Sequence, residues 1–311
     1  MSRDSLEIRA FMEAQPNHTI KAYDKFKVEE MLGTMPTGQA ALIVFWHGVG
    51  DLLMFLPVFC NLRERFPQLK IDLGIQPGVG HLELWPDAVE LWEKDFTVDH
   101  AYAFVINFPM VEGGNKMTKA EYCSRFEIGH EPHDLNLPHV SAIDNRLVGV
   151  HFQGTCLPGS TNPSPEIAEK IWKDLLAEGY VPFDMHFVHN FHNPVNVPLP
   201  WASRNCRDLV PSLTLLRSLI GSCFAFIGVA SGPFVLAACM SPNRAIYLQK
   251  GHDASCYFHN FSNIIDLQKY DEKERDKMLN MLAKMSIIET HSKFSVINNK
   301  ECSCGKDGCN G

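Results

Sequence analysis

The stretch Phe45 to Phe66, FWHGVGDLLMFLPVFCNLRERF, sets one carboxylate, Asp51, directly after a glycine turn and directly before an amphipathic run. Gly48 and Gly50 bracket that turn as if backbone or ligand must approach closely, and His47 stands beside it. An aspartate at a helix start accepts a bond from a first-turn N–H and is favoured by the positive end of the dipole. Capping alone therefore explains Asp51. A role in a site is favoured by the two glycines and by Pro57, which costs about 3 kcal/mol inside a regular helix. A second constellation, FIGVASGPFVLAA, runs from Phe226 to Ala238. Ser231 and Gly232 form a tight turn and Pro233 takes the first helical position, so the helix start presents backbone amides suited to the phosphates of a nucleotide. An ordinary strand-to-helix turn is the alternative at this place.

Two further groups have ligand chemistry. His186, His189 and His192 (HFVHNFH) would partly align on a helix, but the run Phe183 to Val188 reads as a strand, which separates their directions and favours surface or cleft histidines over a metal site. His189 and Asn190 are then expected near a bound ligand. The tail ECSCGKDGCNG carries Cys302, Cys304 and Cys309, three soft thiolate ligands able to hold a structural zinc or iron if Cys256, His291 or another subunit supplies a fourth group. A flexible tail without metal fits the same residues.

The elements that position these groups alternate strand and helix, which predicts parallel sheets. Ala40 to Trp46 is apolar without alternation, as in a strand covered on both faces. Leu52, Leu53, Leu56, Phe59 and Leu62 then recur at helical spacing. Strands are expected at Ile71 to Ile75 and Ala101 to Phe108, with a helix at Trp85 to Trp92, and residues 1 to 38 read as a polar helical lead-in. A new unit opens with Leu147 to Phe152 and its loop QGTCLPGSTNPSP. Helix Glu166 to Glu178, strand Phe183 to Val188, helix Leu213 to Cys223, strand Ala225 to Val229, helix Pro233 to Cys239 and a closing strand Ala245 to Leu248 follow. The expected division is 1–144, 145–289 and a Cys-rich tail at 290–311.

Composition bounds the partners. A 311-residue chain with 45% hydrophobic residues holds two ordinary α/β cores, and a net charge of −8 offers no broad basic field for nucleic acid or anionic membrane. No apolar run reaches transmembrane length and the N-terminus lacks a signal sequence, so a cytoplasmic protein is expected. Seven of the ten cysteines are dispersed singly, as reduced thiols are.

The patterns HGVGDLLMFLP, LVGVHFQGT and SLTLLRSLIGSCFAFIGVASGPFVLAA resemble, in order and spacing, the heptosyltransferase-like glycosyltransferases over roughly residues 40 to 250. The resemblance implies an α/β GT-B fold of two Rossmann-like domains facing a cleft, the first on the acceptor side and the second binding nucleotide-sugar. It implies an inverting transfer from a nucleotide-diphosphate sugar without a catalytic metal. On it, Asp51 is the general base, with His47, Gly48 and Gly50 on the acceptor side. Gln153, Gly154, Thr155, Ser231, Gly232 and Pro233 contact the donor. The chain departs from the pattern at Ala230, where an aspartate is usual, at Val235, where histidine is frequent, and at Asn162, which replaces a lysine of the loop. A different sugar or nucleotide is therefore expected. The acceptor, whether glycan, protein side chain or hydroxylated nucleic-acid base, is not readable. Two other classes stay open. A nicotinamide oxidoreductase would read the first turn as GxGxxL, lacking the third glycine and with Asp72 at the wrong end of its strand. A catalytically silent nucleotide-sugar-binding protein would explain Ala230 and Asn162.

Overall fold

The computed structural model describes residues 19–21, 32–45, 50, 53, 59, 62–75, 102–108, 144–154, 158–187, 199–209, 212–251 and 261–301. Nine strands form two sheets among these residues. In the first, β2 (Ala40–Phe45) lies between β3 (Lys70–Ile75) and β4 (Tyr102–Phe108), and β1 (Thr19–Lys21) flanks β4, all pairs parallel. The apolar run of β2 fits its central position: Ala41 and Leu42 are fully buried. Helical backbone follows at Gly50, Leu53, Phe59 and 62–65, and Leu53, Phe59 and Leu62 are buried, as their spacing predicts.

The second sheet has the order β6-β5-β7-β8-β9, again parallel throughout. It comprises β5 (Asp144–His151), β6 (Val181–Asp184), β7 (Cys223–Gly228), β8 (Ala245–Gln249) and β9 (Ile264–Asp266). Burial along β5 deepens from its exposed start to a fully buried carboxyl half, and every residue of β7 is buried. Helix α1 (Pro165–Ala177) starts on Ser164, whose hydroxyl accepts from the Ile167 N–H, and packs Ile171, Trp172 and Leu175 on the sheet. Helices α2 (Leu213–Ser222) and α3 (Gly232–Met240) are likewise capped by serines, Ser212 and Ser231.

Four expectations are corrected. Residues 1 to 38 do not form only a helical lead-in: Thr19–Lys21 is the edge strand β1, too short for its pattern to show. Strand β6 spans Val181–Asp184, not Phe183 to Val188: Asp184 already turns to a second segment, donating its N–H to the Arg204 carbonyl and accepting from the Cys206 N–H, and its register with β5 ends there, with the Met185 N–H on the Val150 carbonyl. The set does not close at β8: Ile264–Asp266 adds β9. Helix α4 (Glu272–Glu301) went unread because it is polar nearly all round, with only Met278, Leu282 and Met285 buried among its described side chains. The expected helix at Trp85 to Trp92 lies outside the described residues.

Candidate functional site

In each sheet the chain reverses direction about its first long strand. From β5 it passes through α1 to β6 on one side, then through α2 back to β7 on the other, so the loops after β5 and β7 diverge over a crevice at their carboxyl ends. Open α/β sheets bind ligands at such a point. The first sheet repeats this plan about β2, with β3 and β4 on its two sides.

The second crevice gathers five of the sequence-named donor residues. Gln153 and Gly154 follow β5 and are buried. Across from them, Ser231, Gly232 and Pro233 begin α3, half-buried, with Ser231 Oγ accepting from the Phe234 N–H at 3.3 Å. The β5–β7 ladder runs up to these loops, ending on the Val229 N–H, which donates to the His151 carbonyl at 3.1 Å. A Cβ on Gly154 would stand 2.3 Å from the Ala230 carbonyl oxygen, so no side chain fits there without moving backbone. Ala230 and Val235 are wholly buried.

Asn162 holds the loop after β5. Its amide oxygen accepts from the Gly154 N–H at 2.9 Å and its amide nitrogen donates to the Gly154 carbonyl at 3.0 Å. One side chain thus satisfies both backbone groups of the loop glycine and fixes its path. Lys250, just beyond β8, donates in turn to the carbonyls of Asn162 at 2.9 Å and Gly159 at 3.3 Å.

Beside β5, on the β6 flank, lies a polar cluster that the sequence does not announce. Asp184 is fully buried, and Arg207 Nε donates to its Oδ2 at 2.8 Å. Burial pushes the Asp184 carboxyl up to about 6, against the downward pull of Arg207 and of the His186 N–H. His186, expected at the surface or in a cleft, is buried, with Nδ1 3.4 Å from Nε2 of the equally buried His151. Burial also pushes the Cys206 and Cys223 thiols up to about 12, which keeps both protonated and unreactive.

The first half reaches this crevice through Gly50. A Cβ on Gly50 would lie 3.2 Å from Gly232 Cα and 3.4 Å from Val235 Cγ2. Gly50 and the helix start after β7 therefore approach each other closely. Asp51, His47, Gly48, Thr155, His189, Asn190, His192 and the tail cysteines Cys302, Cys304 and Cys309 lie outside the described residues. Among the described residues no group of three His, Cys, Asp or Glu side chains could hold a metal ion, and no helix is long and apolar enough to cross a membrane.

Two parallel sheets, with helices between the strands of the second, make an α/β fold of the GT-B class. Among solved structures the chain is similar in fold to the iron-containing dodecameric glycosyltransferase TibC of enterotoxigenic E. coli, with a TM-score of 0.56 at 15% identity, covering 83% of this chain and 78% of that one. Looser likenesses include a family 9 glycosyl transferase of Veillonella parvula (TM-score 0.49, 12% identity, 81% of this chain and 99% of that). Another is the E. coli heptosyltransferase WaaC with ADP-2-deoxy-2-fluoro heptose (0.47, 10%, 78% and 99%). No family model matches the chain, and no curated protein matches it in sequence.

Proposed function

We propose that the protein is an inverting glycosyltransferase that moves a sugar from a nucleoside-diphosphate donor to an acceptor hydroxyl, with Asp51 as general base. The observation that supports it most is the approach of Gly50 to Gly232. It brings the chain neighbour of Asp51 against the amide-bearing start of α3, on a fold shared with a glycosyltransferase.

The chemistry of inversion asks for this pairing. The acceptor oxygen attacks the anomeric carbon opposite the departing diphosphate, so a base must take the hydroxyl proton on one side. On the other side, fixed dipoles must stabilise the charge that gathers on the leaving group. Asp51 supplies the first from the β2 turn. The Gln153–Gly154–Thr155 loop and the amides near Gly232 supply the second, and no catalytic metal takes part. His47 and Gly48 border the acceptor. With a fourth ligand from Cys256, His291 or another subunit, the three tail thiolates would hold a structural zinc or iron that takes no part in this chemistry. The acceptor is a glycan, a protein side chain or a hydroxylated nucleic-acid base.

A thermal-shift screen with ADP, UDP, GDP, CMP and NAD tests the donor class. A ligand at a hundredfold over its Kd stabilises by about 2.7 kcal/mol. Stabilisation by a nucleoside diphosphate is the expected result, and a response to NAD alone would overturn the proposal. Asp51→Asn should keep nucleotide binding and lose about a hundredfold or more of turnover. A variant turning over near the wild-type rate removes Asp51 from proton transfer.

A further inference from the structure

We infer that Lys250 is a specificity-determining residue of the donor site, supplying the positive charge for the diphosphate that the 154–162 loop itself lacks. This rests on the glycosyltransferase reading above.

A nucleoside diphosphate brings two to three negative charges into the crevice, and backbone dipoles alone balance them incompletely. Among the described residues, Arg207 lies on the β6 side of β5 and Lys250 beside the 158–162 segment. Arg207 is committed to Asp184 at 2.8 Å. Lys250 is committed to no carboxylate: among the described residues its ammonium bonds only the Gly159 and Asn162 carbonyls. An ammonium has three donors, so two carbonyls leave its full charge and one N–H for an anion.

Its placement suits that role. In the sheet, β7 lies between β5 and β8. Lys250 follows β8 yet bonds the loop that follows β5, so the two loops meet across the carboxyl end of β7, where the Ser231 turn begins. The meeting is close: a Cβ on Gly251 would stand 2.7 Å from the Ser160 carbonyl oxygen. From Lys250 the contacts run through Asn162 to Gly154, and from Gly154 to the Ala230 carbonyl beside Ser231. Asn162 is engaged in holding Gly154, and it is uncharged.

The test compares affinities of the full-length wild type, Lys250→Gln and Lys250→Arg for ADP, AMP and adenosine, with the UDP and GDP series run in parallel. Glutamine removes the charge and keeps an amide donor, on a side chain one bond shorter. The expected result for Lys250→Gln is a loss of about tenfold to a hundredfold for the diphosphate, a smaller loss for the monophosphate and none for the nucleoside. Lys250→Arg should stay within about threefold of wild type. Equal affinities of wild type and Lys250→Gln for the diphosphate overturn the inference and leave the transferase reading standing. So does a loss shared equally by diphosphate, monophosphate and nucleoside, which marks a brace of the loop. If Lys250→Gln does not fold, Lys250→Met, of nearly the same length and uncharged, decides by the same comparison of diphosphate against nucleoside. A wild type that binds no nucleoside diphosphate ends both proposals.

Discussion

The two flanks of the β5–β7 crevice treat charge in opposite ways. On the β6 flank the buried charge is answered from within: Asp184 is sealed from water against Arg207, with His151 and His186 buried beside it. On the β8 flank Lys250 is half-buried and bonded to backbone carbonyls only. A charge neutralised in the interior braces a structure, whereas one held by neutral dipoles still attracts an ion. The flanks are therefore expected to separate under mutation, the first losing stability and the second losing affinity.

The largest stability effect should come from Arg207→Met. It strands a buried carboxylate, and breaking such a pair costs about 3 to 5 kcal/mol near neutral pH. The pH dependence has a definite sign. Because the folded Asp184 carboxyl titrates near 6, above its unfolded value, the native state holds that proton more tightly. The stability this provides is fully present below the ordinary carboxylate range and is lost as pH rises through about 6. Removing Arg207 removes a downward pull, so the window moves to higher pH. Denaturant unfolding at pH 5 and pH 7.5 checks this: the variant's deficit should be the smaller at pH 5. A deficit independent of pH would mean that Arg207 contributes packing rather than charge.

Next in size is the loop itself. Asn162→Ala leaves the N–H and carbonyl of the buried Gly154 without their side-chain partner, for about 1 to 3 kcal/mol. Unlike Arg207→Met, it should also weaken nucleotide binding, since Gly154 lies against the Ala230 carbonyl. Calorimetry of the variant with the nucleotide found for wild type checks both. A destabilised variant with unchanged affinity would detach this loop from the ligand.

How much of this was legible follows from how far apart the partners lie. The turns at Gln153–Gly154 and Ser231–Pro233 are local patterns, a strand end, small residues and a helix start, and such patterns are visible in a single sequence. Strands β2, β3, β5, β7 and β8 were legible for the same reason, as continuous apolar runs. The pairs that decide the electrostatics are not local. Asp184 and Arg207 are 23 residues apart, His151 and His186 35, and Asn162 and Lys250 88. Nothing in the spacing of those residues relates them until the sheet order does. Strands β1 and β9 escaped because three residues carry no period. His186 was misplaced because the apolar run from Phe183 continues past the point at which the backbone leaves the sheet.

The smallest effect sharpens the comparison most. Lys250→Gln should shift unliganded stability by no more than about 0.5 to 1 kcal/mol, because it exchanges one partly exposed donor for another and abandons no buried charge. Ser231→Ala, by contrast, removes the cap of α3 at about 1 kcal/mol and leaves the charge of the crevice untouched. Melting each variant with and without a nucleoside diphosphate separates the two contributions. Lys250→Gln should melt like wild type alone and gain less from the ligand, and Ser231→Ala should start lower and lose less of that gain. If the two behave alike, the crevice binds through its backbone and the unneutralised cation on the β8 flank has no part in choosing the ligand.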